Sequence, residues 1–147
     1  MGGGESRPFS IVKKEVTMRY VKVKIAGREI YLLFNGAAMF ELKTALGEKS
    51  IFKAIKSTNP NHFENLCKVA AVMGEQGELY RRFMGHDKQP ITTFDELKII
   101  ISPADTIDIM NAILQAVTLG YTRDTEDEEA EVDLGLAELN KKKVTAD

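Results

Sequence analysis

Apolar and polar positions alternate at the start of the patterned part of this chain. Val21, Val23 and Ile25 are separated by Lys22 and Lys24, the period of two expected of a half-buried strand. A second strand follows through Ile30, Leu32 and Phe34. Gly27-Arg28 reads as a two-residue Gly-X turn, because glycine accepts the positive φ of the first central position. That turn would place Ile25 opposite Ile30, Val23 opposite Leu32 and Val21 opposite Phe34, all on one face. The other face carries Tyr20, Lys22, Lys24, Tyr31 and Leu33. A lone hairpin is marginal in water, so helices must cover its apolar face.

After Asn35 the period becomes helical. Asn35 is placed to cap a helix in which Met39, Leu42 and Leu46 share one side, and Gly47 suits the left-handed residue that ends it. A short helix over Lys49–Lys56 carries Ile51, Phe52 and Ile55. Thr58-Asn59-Pro60-Asn61 breaks the chain, and Asn61 is placed to cap a long helix to about Met84. Its stripe is Phe63, Leu66, Ala70, Met73, Gly77, Tyr80 and Met84. Gly74 and Gly77 weaken that helix and mark a kink or a close approach of another element. Thr92 or Thr93 caps a short helix through Phe94, Leu97 and Ile100. Ser102-Pro103 then starts a helix to Leu119, with Asp105 in its first turn and Gly120 closing it. It presents Ile107, Met110, Leu114 and Val117, with Ile109 and Ile113 at the side. An apolar surface that broad fits a central core helix or one shared with a second subunit.

The pattern divides the chain into a flexible leader over 1–15, a single domain over 16–121 and a charged tail over 122–147. Asp124, Glu126, Asp127, Glu128, Glu129, Glu131 and Asp133 precede Lys141-Lys142-Lys143, which matches the dipole of a helix over about Glu128–Lys143. Val132, Leu136 and Leu139 give it a thin apolar stripe, interrupted by Gly135. The fold class expected is α+β, mostly helical: one N-terminal hairpin packed on a bundle of four to five helices.

Composition narrows the function more than the fold. The 147 residues are 44% hydrophobic and 29% charged, ordinary values for a globular domain. A net charge of −2 supplies no basic footprint for nucleic acid. One cysteine, Cys67, leaves no intramolecular disulfide and fits a reducing compartment. No apolar run reaches the roughly 18 residues of a membrane span, and the first residues have no signal-peptide core, so a cytoplasmic protein is expected. Met1-Gly2-Gly3-Gly4-Glu5-Ser6 matches the spacing of a myristoylation signal, but its composition reads as a linker.

Candidate chemistry is sparse. His62, His86 and Cys67 have no metal-ligand spacing. Cys67 lies inside an apolar helical pattern, where cysteine behaves as a small hydrophobe. Gly74-Glu-Gln-Gly77 has neither the preceding strand nor the lysine of a phosphate loop. Asp105 and Asp108 are explained by the helix start, and Arg81-Arg82 beside Phe83 and His86 is too small a patch for a duplex. No catalytic, cofactor-binding or metal residue is expected, which leaves partner binding. Val132, Leu136 and Leu139 are candidate anchors for a partner's groove, and Ile109 and Ile113 a candidate face for a partner or second copy. Met39, Met73, Met84 and Met110 offer adaptable contacts, or fill the core.

The phrase Gly27-Arg-Glu-Ile-Tyr-Leu-Leu-Phe-Asn-Gly-Ala-Ala-Met-Phe-Glu-Leu-Lys-Thr-Ala-Leu-Gly47 resembles the opening of tail assembly chaperones of long-tailed bacteriophages, prophages and gene-transfer agents. The resemblance extends over Val16 to about Tyr121 and, in character only, to the tail. It implies a non-enzymatic helper in the bacterial host cytoplasm, without cofactor, that binds the tape-measure protein and assists assembly of the tail-tube protein around it. The first rival is a small DNA-binding regulatory protein of a mobile element, using the helices around Pro103–Leu119. The second is an enzyme using Cys67 and a histidine.

Overall fold

The computed structural model describes residues 13–16, 19–47 and 50–122. They form an α+β fold, mostly helical. A three-stranded antiparallel sheet comprises β1 (Lys13–Val16), β2 (Val21–Ile25) and β3 (Arg28–Leu32), in that order. The helices are α1 (Gly36–Ala45), α2 (Ile51–Ala54), α3 (His62–Phe83), α4 (Phe94–Ile100) and α5 (Thr106–Gly120).

The sheet has one strand more than the alternation predicts. Lys13-Lys14-Glu15-Val16 carries no apolar period, yet its backbone pairs with β2, Val16 opposite Val21 and Lys13 opposite Lys24. Lys13–Glu15, expected within the leader, thus belong to a strand of the sheet. Strand pairing uses backbone groups, so a polar segment joins a sheet edge without any hydrophobic signal.

The register of the hairpin also differs from the predicted one. Val23 lies opposite Ile30, Val21 opposite Leu32 and Ile25 opposite Arg28. The loop is Ala26-Gly27, with φ of 52° and 81°, so both central residues are left-handed as in a type I′ turn. Its twist matches that of the flanking strands, and this outweighs the cost of a left-handed alanine. The slip amounts to two residues, which preserves the parity of the strand faces. Val21, Val23, Ile25, Ile30 and Leu32 are consequently all buried, as the alternation predicts. Ala26→Asn creates the Asn-Gly pair favoured in such turns and should stabilise the fold by about 1 kcal/mol. A urea midpoint that rises at unchanged slope checks this.

Local signals place the helices well. Asn35 Oδ1 accepts the Ala38 N–H, and Gly47 follows α1 at φ 70°. Thr93 and Glu96 form a reciprocal capping box on α4. Before α5 comes a single 3₁₀ turn, Pro103–Asp105, where the Ser102 hydroxyl and N–H both donate to Asp105 Oδ2 and the Asp105 N–H donates to the Ser102 carbonyl. Asn61 behaves differently: its side chain makes no cap bond on α3, and its own N–H donates to Asn59 Oδ1 at 2.8 Å.

Packing follows from two glycines. α3 lies along β3, and the Leu33 N–H donates to the Met73 carbonyl at 3.1 Å. A Cβ at Gly74 would stand 2.9 Å from Ile30 Cγ2, and one at Gly77 would overlap the Tyr31 carbonyl oxygen. The pair marks close backbone approach. α5 packs against β2 through Ile109, Ala112, Ile113, Ala116 and Val117, while Ile107 points outward. Gly120 is the last residue of α5, where a Cβ would overlap the Phe34 carbonyl oxygen; its role is contact, not a left-handed stop. Arg28 Nη1 reaches Thr92 Oγ1 and Glu96 Oε1, both at 3.2 Å, and ties the hairpin to α4.

Candidate functional site

An apolar groove of about 290 Å³ opens between α1, α2 and the end of α5. The chain builds it in three passes. Phe34 leaves β3 and enters α1 through the Asn35 cap. One side of α1 turns Ala38, Leu42 and Leu46 inward. Gly47 then reverses the chain, and Ser50, whose Oγ accepts the Lys53 N–H, starts α2 with Ile51 and Phe52. Val117 and Tyr121 close the third side from α5.

The floor is sealed and the rim is open. Phe34, Leu42, Leu46 and Val117 are buried. Met39 is 50% exposed, Phe52 54% and Tyr121 72%. The Tyr121 ring packs on Phe34 with centroids 5.7 Å apart, and its hydroxyl lies 3.9 Å from Met39 Sδ. Lys43 lines one edge and supplies positive charge there. Phe40, 72% exposed on α1, extends the same helix's apolar surface. Solvated aromatic and thioether groups around an apolar trough suit an amphipathic segment of another helix.

The groove was not among the sites predicted from the sequence. Ile109 and Ile113, expected as a partner face, are fully buried within the chain's own core. The reason is the choice of face on α5: the helix meets both β2 and α3, and Ile109 and Ile113 share its buried face with Ala112, Ala116 and Val117. Val132, Leu136 and Leu139 lie outside the described residues. Met39, expected on the inner stripe of α1, is displaced to the rim because the smaller Ala38 takes the inward position. Met73 is core, Met110 half-buried and Met84 exposed. The available signal was Phe52, an aromatic residue on a four-residue helix too short to bury two faces.

Arg81 and Arg82, the basic pair of the sequence, have structural partners. Glu78 is 2% exposed and receives Arg81 Nη1 at 2.7 Å, Arg82 Nε at 2.9 Å and the Gln89 N–H at 2.7 Å. The two guanidiniums also donate to the carbonyls of Asp87 and Gln89, and Arg81 stacks 4.4 Å over the Tyr31 ring. Burial opposes ionisation of Glu78, yet the three hydrogen bonds together hold its carboxyl below the ordinary range. The Arg81-Arg82 pair thus pins the connection after α3. Burial pushes the Cys67 thiol up to about 11, away from nucleophile chemistry. The Tyr31 hydroxyl is pushed up to about 12, chiefly by burial and then by its bond to Glu29.

Among the described residues no cluster of three or more His, Cys, Asp or Glu is arranged to hold a metal ion. No helix among them is long and apolar enough to cross a membrane. No family model matches the chain, and no curated protein or solved structure matches it either.

Proposed function

We propose that this chain is a non-enzymatic tail assembly chaperone of the bacteriophage or prophage type, acting in the host cytoplasm. In this reading the groove between α1, α2 and α5 takes an apolar helical segment of the tape-measure protein and shields it until tail-tube subunits assemble. The observation that carries the reading is the open groove, with Met39, Phe52 and Tyr121 solvated around a buried apolar floor. The resemblance of Gly27–Gly47 to the opening of such chaperones supports it, and that segment contributes Phe34, Met39, Leu42 and Leu46 to the groove. A long helical chain with exposed apolar stripes aggregates unless those stripes are covered.

The test is co-expression with the tape-measure protein that this reading expects to be encoded beside the chain. The tape-measure protein should become soluble and co-purify. Phe52→Asp should weaken capture at least about tenfold, the scale of one interface anchor. Ile99→Asp, at an exposed position on α4, should leave capture unchanged. A tape-measure protein that stays insoluble and does not co-purify sinks the proposal.

A further inference from the structure

We infer that the groove selects its occupant by charge: it takes an amphipathic helix of a partner protein whose apolar anchors are flanked by glutamate or aspartate. The inference rests on the reading above, in which the groove receives a helical segment of another protein.

Among the described residues that line the groove, Lys43 carries the only charge, and none is acidic. Helical spacing puts it there. Met39, Leu42, Lys43 and Leu46 recur at i, i+3, i+4 and i+7, so Lys43 shares the face of α1 that looks into the trough. Glu41, the acid of α1, is two positions from both Met39 and Lys43 and lies on the opposite side. α2 adds charge of the same sign. Ile51 and Phe52 line the groove, Lys53 follows them, and Lys56 comes just beyond the helix. All three lysines are exposed, and none is in an ion pair among the described residues. Positive charge of this kind beside an apolar trough favours negative charge on whatever fills it.

Shape decides the class of partner. Phe34, Leu42 and Val117 form a buried floor below the rim of Met39, Phe52 and Tyr121. Such a depression receives a row of side chains projecting from a helix. A lipid surface is entered by a projecting apolar element instead. The two contributions then divide. The apolar anchors supply affinity, while the lysines speed encounter with an acidic helix and repel a basic one that has the same anchors.

The test uses the full chain and two fluorescein-labelled peptides that share leucines at i, i+4 and i+7. One carries glutamates beside the leucines, the other lysines. Fluorescence anisotropy at low ionic strength should show the glutamate peptide binding at least about tenfold tighter, with a preference that shrinks as salt is added. Lys43→Glu together with Lys53→Glu, both at exposed positions, should reverse the order. Phe52→Ala should weaken both peptides several-fold. Equal affinity for the two peptides, or no binding of either, overturns the inference. So does a glutamate peptide that Phe52→Ala leaves unaffected, since it then sits elsewhere. Capture of the chain by phosphatidylglycerol vesicles, with no binding of the glutamate peptide, also overturns it and assigns the lysines to a lipid surface. A glutamate preference beside a tape-measure protein that stays insoluble upholds the inference and sinks the chaperone reading alone. A captured tape-measure protein with no peptide preference does the reverse.

Discussion

Gly77→Ala is expected to cost about 4 kcal/mol or more, a large share of the roughly 5–15 kcal/mol that holds a domain folded. The added Cβ would overlap the Tyr31 carbonyl oxygen and crowd the Tyr31 carbon skeleton behind it. Neither group can rotate away, because the carbonyl belongs to β3 and the glycine to the middle of α3. Relief would require sliding α3 off the strand, which breaks the Leu33 N–H to Met73 bond and opens the core at Met73 and Ala70. Helix propensity argues the opposite way by about 1 kcal/mol in favour of alanine, so the sign of the result separates the two effects. Gly74→Ala should be milder, because its neighbour is the methyl end of the Ile30 side chain, which can shift. Circular dichroism in a urea titration checks both: a large loss for Gly77→Ala with a smaller one for Gly74→Ala. Stabilisation by Gly77→Ala would mean that α3 does not lie on β3 as described.

Glu78→Ala should be the next most damaging single change, at about 3 kcal/mol. The loss is not that of one surface ion pair. Removing the carboxylate leaves the Arg81 guanidinium buried over the Tyr31 ring and strips Arg82 and the Gln89 N–H of their acceptor. Glu78→Gln keeps an acceptor but not the charge and should fall between the two. The pH dependence follows from the depressed carboxyl. In the unfolded chain Glu78 titrates near the ordinary value, about 4.3. The folded carboxyl keeps its charge to lower pH, so its contribution is complete above the unfolded value. It is lost as pH falls through the lowered folded value. The parent chain should therefore lose part of its advantage over Glu78→Gln as pH drops from about 5 toward 3. Parallel stability curves for the two proteins over that range would remove Glu78 from the acid response.

Legibility differed sharply between elements. The caps at Asn35 and Thr93 were readable because each lies within three residues of the backbone group it satisfies. The buried face of the hairpin was readable because a period of two survives any even slip of register. The register itself was not, since Gly27-Arg28 and Ala26-Gly27 are both admissible turns and the twist of the strands chooses between them. β1 left no trace in the hydrophobic pattern because pairing to an edge uses backbone groups. Arg81-Arg82 looked like a small exposed basic patch until Glu78, three and four residues away, folded under both.

The groove was the least legible feature. Its floor draws on Phe34, Leu42, Leu46 and Val117, which any amphipathic reading assigns to a core. That they stop short of filling the space between α1, α2 and α5 depends on α2 being only four residues long and on Tyr121 lying at the rim. Neither fact has a local signature. The stripe Val132, Leu136 and Leu139, expected as an anchor set, lies outside the described residues.

By itself the sequence determined the starts of α1 and α4 and which positions of the hairpin face inward, because those properties depend on neighbours a few positions apart. Tertiary structure alone decided the hairpin register, the inward turn of Ile109 and Ile113, the need for glycine at position 77 and the existence of the groove. Each of these depends on which distant surface an element meets. A helix with two overlapping apolar stripes has no inner side until a sheet is placed against one of them.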